Sequence, residues 1–144
     1  MKVSDILGAK GSGVTTIRPE AAISTVVRRL KLEGIGALVV SEDGTEVVGI
    51  ISERDVVRGL ADHGTELLEM RVIDLMTSPV KTCTLEANIK DVMAVMTRSR
   101  IRHLPVVETG ALIGIISIGD VVKNRLEEVE LEADVLRDAY IASH

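Results

Sequence analysis

Apolar residues recur along the chain in two alternating rhythms. Ile23, Val26, Val27 and Leu30 follow helical spacing, and Gly34 and Gly36 end that helix. The continuous run Ala37-Leu38-Val39-Val40 predicts a short buried strand. Glu42-Asp43-Gly44 signals a turn, and Val47 to Ile51 predicts a second strand. Ser52 then opens a helix carrying Val56, Val57 and Leu60, closed by His63-Gly64. The same succession returns further on. Ile89, Val92, Met93 and Met96 mark a helix, Leu104 to Val107 and Leu112 to Ile116 two strands, and Thr109-Gly110 their turn. A last helix starts after Ser117.

These rhythms belong to an internal repeat. Val3-Ser4-Asp5-Ile6-Leu7 matches Val72-Ile73-Asp74-Leu75-Met76. Thr16-Ile17-Arg18-Pro19-Glu20-Ala21-Ala22-Ile23 matches Thr82-Cys83-Thr84-Leu85-Glu86-Ala87-Asn88-Ile89. Gly49-Ile50-Ile51-Ser52 with Asp55 matches Gly114-Ile115-Ile116-Ser117 with Asp120. The register slips only at Gly8 to Gly13 and at Asp43 to Thr45, which read as loops, where insertions are tolerated. The chain divides into a first copy over 1–68, a second over 69–126 and a helical extension over 127–144. Each copy reads β-α-β-β-α. One unit is too small to cover its own sheet, so the expectation is an α+β body of two copies packed by pseudo-two-fold symmetry, helices outside.

After Val122 the chain leaves the repeat. Val122, Leu126, Val129, Ala133, Leu136 and Tyr140 alternate spacings of four and three, a heptad-like seam, while Glu127, Glu128, Glu130, Glu132, Asp134 and Asp138 face elsewhere. The seam needs a cover. Its own domain, a second copy of the chain and a different protein are the three open choices.

Composition narrows function. The chain has 144 residues, 46% hydrophobic but only 1% aromatic, the single Tyr140, so aliphatic residues and methionine must fill the core. Met93 and Met96 read as core filler, and Met70 and Met76 flank the link between copies. The net charge of −5, without a basic block or stacking aromatics, argues against nucleic acid. No apolar run approaches the roughly 20 residues that span a bilayer, and no signal peptide is evident. Cys83 is the only cysteine, which rules out a disulfide framework within the chain. A soluble, reducing, cytoplasmic setting is therefore expected. No catalytic triad order, P-loop or paired His-Glu motif is present, and neither His63 nor His144 has ligand spacing, so no metal site is expected.

Two features could carry chemistry. Ser52-x-x-Asp55 and Ser117-x-x-Asp120 each follow a Gly-Ile-Ile strand. Such a pair is ordinarily a helix cap. The same carboxylate could accept both hydroxyls of a ribose, beside a helix N-terminus that favours phosphate. The second feature is a lopsided set of cations. Arg54 has Gly119 as its counterpart, while Arg100, Arg102 and His103 answer to Gly34, Gly36 and Ala37. A solvated face is the ordinary reading. Phosphate contacts are the functional one, since arginine forks match phosphate oxygens. Cys83 lacks an identifiable activating base and is not expected to be a nucleophile.

The Gly49-to-Asp55 and Gly114-to-Asp120 motifs, with His103-Leu104-Pro105-Val106-Val107, resemble a tandem pair of CBS domains, the arrangement called a Bateman module. The resemblance runs from Val3 to Val122. The first copy departs from it at Ala37-Leu38-Val39-Val40, which lacks the proline, so the two clefts are chemically unequal. The resemblance implies a non-catalytic regulatory module that binds AMP, ADP, ATP, NAD(H) or S-adenosylmethionine between the copies, commonly as a homodimer. It implies that Asp55 and Asp120, with Ser52 and Ser117, hold the ribose. It implies that Thr16, Ile17, Thr82 and Cys83 meet the adenine, with Ile17 and Cys83 packing against it. Ala37, Leu104 and Pro105 join them in the clefts. Arg54, Arg102, His103 and, more weakly, Arg100 would meet phosphate. That cluster favours AMP, ATP or NAD(H) over the cationic sulfonium of S-adenosylmethionine. The downstream target would be another protein chain, with no nucleic acid or membrane as partner. The rival expectation is an interaction and dimerisation module with empty clefts.

Overall fold

The computed structural model describes residues 1–11 and 13–143, so the terminal His144 lies outside the described residues. In chain order the elements are α1 (Val3–Lys10), β1 (Thr16–Ile17), α2 (Ile23–Glu33), β2 (Ala37–Val40), β3 (Gly49–Ser52) and α3 (Glu53–His63). A 3-10 turn (Gly64–Glu69) follows, then α4 (Val72–Leu75), α5 (Ile89–Ser99), β4 (His103–Glu108), β5 (Ala111–Ser117) and α6 (Ile118–Ala142).

The first sheet runs β1-β2-β3, with β1 parallel to β2 and β3 antiparallel to it. The second is the antiparallel pair β4-β5. The expected leading strand of the second copy shrinks to a single parallel bridge from Cys83 to Val106. β3 is also shorter than expected, because Val47 and Val48 stay outside it. The helix ends follow their residues. Gly34 caps α2 at φ 63°, in the left-handed region that glycine tolerates. Arg100 caps α5 at φ 54°, the equivalent place in the second copy.

Each copy lends its leading segment to the other. Val3, Ile6 and Leu7 of α1 are buried with Ile89, Val92, Met96, Leu104 and Ile116 of the second copy. Val72 is buried with Ile23, Val26, Leu38 and Ile51 of the first, where Leu75 and Met76 pack as well. The backbone repeats the exchange. Val3 N–H donates to Ala87 O (3.0 Å) and Ile89 N–H to Met1 O (3.0 Å). At matching positions Val72 N–H donates to Ala21 O (2.9 Å) and Ile23 N–H to Met70 O (2.8 Å). Gly49 and Gly114 make room for it. A Cβ on Gly114 would lie 2.7 Å from Leu7 Cδ1, and one on Gly49 would meet Met76 Sδ. Leu7 and Met76 are themselves equivalent positions of the repeat.

Two expectations about helix faces change. Val57 and Leu60, read as the apolar stripe of α3, are exposed, and Val27 of α2 is partly so. Their helices are held instead through Ile23, Val26 and Leu30 in α2 and Gly59 in α3. The last helix of the repeat and the C-terminal extension form one 25-residue helix, about 37 Å long at 1.5 Å per residue. Of its residues only Val121 and Asn124 are buried. Val122, Leu126, Val129 and Leu136 stand exposed, so the helix does not fold back to cover its seam on its own domain.

Candidate functional site

Both Ser-x-x-Asp pairs form reciprocal capping boxes. Ser52 N–H donates to Asp55 Oδ2 (2.9 Å), and Asp55 N–H returns to Ser52 Oγ (3.4 Å). In the second copy Ser117 N–H donates to Asp120 Oδ2 (2.9 Å), and Asp120 N–H to Ser117 Oγ (3.2 Å). The caps hold each carboxylate at a helix N-terminus in one orientation.

The ends of the two sheets meet between these helices. Ala37 pairs with Ser52, and His103 with Ser117. Glu53 N–H donates to Gly36 O (2.9 Å) and, equivalently, Ile118 N–H to Arg102 O (2.8 Å). A Cβ on Gly36 would lie 3.1 Å from His103 Cε1, so glycine lets the two copies close at this point. Arg54 Nη1 donates to Arg100 O (2.9 Å), tying α3 to the end of α5. Ala37, Ser52, Arg54, Asp55, Arg100, Arg102, His103, Ser117 and Asp120 are thus gathered where the copies meet.

The two carboxylates differ in their outside partner. Thr77 Oγ1 donates to Asp55 Oδ1 (3.2 Å). Lys10 Nζ lies 2.6 Å from Asp120 Oδ2 and donates also to Ile115 O (3.0 Å). Burial pushes the Asp120 carboxyl upward, but hydrogen bonds from Lys10 and Ser117 outweigh it and hold the group below the usual carboxylate range. Burial above all depresses the His103 imidazole. Lys10 and Arg102 push the same way, and Glu53 and Asp120 oppose them.

The remaining expected residues lie elsewhere. Thr16 pairs with Val39 and Ile17 with Val40, two and three positions from the Ala37–Ser52 end. With Arg18, Arg29 and Ser41 to Gly44 they line a separate open pocket of about 750 Å³. The Ile17 side chain is turned into the first core, so it does not offer the apolar face to a base that was expected of it. Leu104 is likewise buried in the second core, and Pro105 is buried beside it, leaving only their backbone to a ligand. Cys83 is half-buried against that core, and Thr82 is exposed next to it. Burial pushes the Cys83 thiol up to about 11, which keeps it protonated and unreactive at neutral pH. Among the described residues no three His, Cys, Asp or Glu side chains are grouped to hold a metal ion. No helix among them is long and apolar enough to cross a membrane.

The two copies that carry these capped carboxylates each match a family model, the CBS domain, over residues 3–62 and again over 72–127. The chain belongs to the CBS-domain family. It is 34% identical to the CBS domain-containing protein CBSX3, mitochondrial, of Arabidopsis thaliana, over 96% of this chain and 71% of that protein. Among solved structures it is similar to the CBS-domain containing protein ATU1752 of Agrobacterium tumefaciens. That match has a TM-score of 0.84 and 43% identity, covering 87% of this chain and 99% of the other. Protein MJ1225 of Methanocaldococcus jannaschii, described as a candidate archaeal homologue of g-AMPK, shares the fold at a TM-score of 0.72 and 23% identity. That match covers 86% of this chain and 53% of MJ1225.

Sequence reasoning about this CBS pair missed Lys10, Thr77, Glu53 and Gly36. Lys10 and Thr77 sit in the exchanged segments, next to the stretch where the repeat slips register. Nothing in their own neighbourhood points to a carboxylate 110 or 22 residues away. Gly36 and Glu53 had a weaker signal, since each adjoins a residue already singled out.

Proposed function

We propose that this CBS pair is a regulatory module that binds an adenosine nucleotide, AMP, ATP or NAD(H), where its two repeats meet, and that it has no chemistry of its own. One observation carries the reading. Two equivalent carboxylates are held by caps at helix N-termini, and Arg54 of the first repeat reaches the Arg100 carbonyl of the second. A capped carboxylate suits a ribose diol, and Arg54, Arg102 and His103 suit phosphate. The likeness of MJ1225 to g-AMPK, as its description has it, is in keeping with this. A cytoplasmic setting agrees with a single, unreactive thiol.

We further propose that the module works as a homodimer acting on a separate protein target. The exposed α6 seam supports the dimer, and so do the charges beside it. In a parallel pair of α6 helices Arg125 would face Glu130 of the second copy, and Glu132 would face Arg137. Hydrogen bonds already made to both carboxylates, from Thr77 and Lys10, favour a second reading, an interaction module with empty clefts.

Melting curves with AMP, ADP, ATP, NAD⁺, NADH and S-adenosylmethionine separate the two. A ligand at about 100 times its dissociation constant adds about 2.7 kcal/mol. In a chain of this size that raises Tm by roughly 5–10 °C. The nucleotide reading expects such a shift, diminished in Asp55→Ala or Asp120→Ala. No shift with any ligand, in protein free of co-purified nucleotide, leaves the empty-cleft reading.

A further inference from the structure

Lys10 ends α1, the helix that the chain's first segment contributes to the second core. Its ammonium is 2.6 Å from Asp120 Oδ2, which also accepts the Ser117 N–H and the Ser117 hydroxyl at 2.9 Å each. A carboxylate oxygen offers two lone-pair sites, so three donors crowd Oδ2. Among the described residues no lysine or arginine pairs with the equivalent Asp55, whose outside partner is the neutral Thr77 hydroxyl. Lys10, Arg102 and Asp120 all act electrostatically on His103, so these four groups share one neighbourhood.

We propose that Lys10 is a resident competitor for Asp120 that makes the second-repeat cleft select adenosine ligands bearing phosphate over those without it. The proposal rests on the nucleotide reading above. A ribose diol that binds both oxygens of Asp120 competes with Lys10 for Oδ2. A neutral nucleoside must pull apart an ion pair and leaves the lysine with no anion in exchange. A nucleotide displaces the same ammonium but brings a phosphate to receive it. The flexible four-carbon stem of lysine lets its head swing between the two while α1 stays docked. A sulfonium ligand, itself cationic, is penalised further beside Lys10 and Arg102.

The test is calorimetric titration of the full chain with adenosine and with AMP, in an Asp55→Asn background that silences the first cleft. Wild-type Lys10, Lys10→Met and Lys10→Arg are compared. Removing the ammonium is expected to tighten adenosine about fivefold and weaken AMP by about the same factor, the scale of one ordinary net hydrogen bond. The preference for AMP then falls about 25-fold, and Lys10→Arg largely keeps it. Should methionine unfold the chain, Lys10→Gln reads the same ratio. An unchanged preference, or equal weakening of both ligands, makes Lys10 a structural residue only and overturns the proposal while nucleotide binding stands. Binding of neither ligand by the Lys10 protein, with none at Asp55 in the native chain, overturns the nucleotide reading and this proposal with it.

Discussion

Replacing Leu7 and Gly114 by alanine, singly and together, measures whether the first segment is truly part of the second core. Leu7 is 6% exposed, and its two methyl carbons would lie 2.7 and 3.0 Å from a Cβ on Gly114. Leu7→Ala removes a nearly buried side chain from a packed cluster, at a cost of about 2–4 kcal/mol. Gly114→Ala forces a methyl group into occupied space, at about 1–3 kcal/mol. The smaller conformational freedom of the unfolded chain returns about 0.5 kcal/mol of that. In the double variant the leucine no longer opposes the new methyl, which fills part of the space it left. The double should therefore cost about 1–2 kcal/mol less than the sum of the singles. Urea unfolding followed by far-ultraviolet circular dichroism suits a chain with no tryptophan and one tyrosine. Additivity to within about 0.5 kcal/mol would mean that Leu7 and Gly114 do not touch, and the exchanged segment would have to be placed elsewhere.

Four further outcomes follow from the geometry. Ser52→Ala and Ser117→Ala each lose a cap and should each cost about 1 kcal/mol in urea, whereas Ser→Gly at either site costs only a few tenths; equal losses for alanine and glycine would count against capping. His103 has a depressed pKa when folded, so the unfolded chain binds the proton first. Stability should fall as pH drops below about 6.5 and stop falling beneath the folded-state pKa. His103→Gln should flatten that segment of the pH–stability curve relative to wild type, and an unchanged slope would assign it to other groups. Cys83 should react slowly with iodoacetamide at pH 8 when native and quickly in urea; rapid native labelling would contradict its burial. Leu136→Glu, on the exposed seam, should turn a dimer into a monomer in sedimentation velocity and move the urea midpoint of the monomer little; an unchanged assembly would remove α6 as the interface.

Most of the fold was legible because its elements are written in local signals. The helix over Ile23–Glu33 announces itself by apolar spacing and a glycine stop, and β4 and β5 by two apolar runs around Thr109-Gly110. Local signals failed where a residue's neighbours come from the other copy. Val57 and Leu60 satisfy the helical stripe as well as Val26 and Leu30 do, yet they are exposed. The slot beside α3 is filled by the 3-10 turn and α4, whose Leu67 and Leu75 close over Gly59. Ile17 and Leu104 went to cores built mainly from their own copies. A residue that alternates correctly along a strand does not reveal whether the face it points to is packed or open.

The carboxylates carry that reasoning into function. Asp55 and Asp120 occupy the same motif, the same cap and the same place on the same kind of helix, and the repeat alone makes them equal. They are unequal because each is approached by the segment exchanged from the other copy. One segment brings Thr77 and the other Lys10. A hydroxyl leaves a carboxylate its charge, while an ammonium at 2.6 Å neutralises it. Exchange of the leading segments keeps the two cores alike, since Leu7 and Met76 both fill the space over a glycine. It also lets the two carboxylates diverge through the few residues just beyond those anchors. The difference between the two carboxylates is therefore written in the leading segments, and the Ser-x-x-Asp motifs themselves are silent on it.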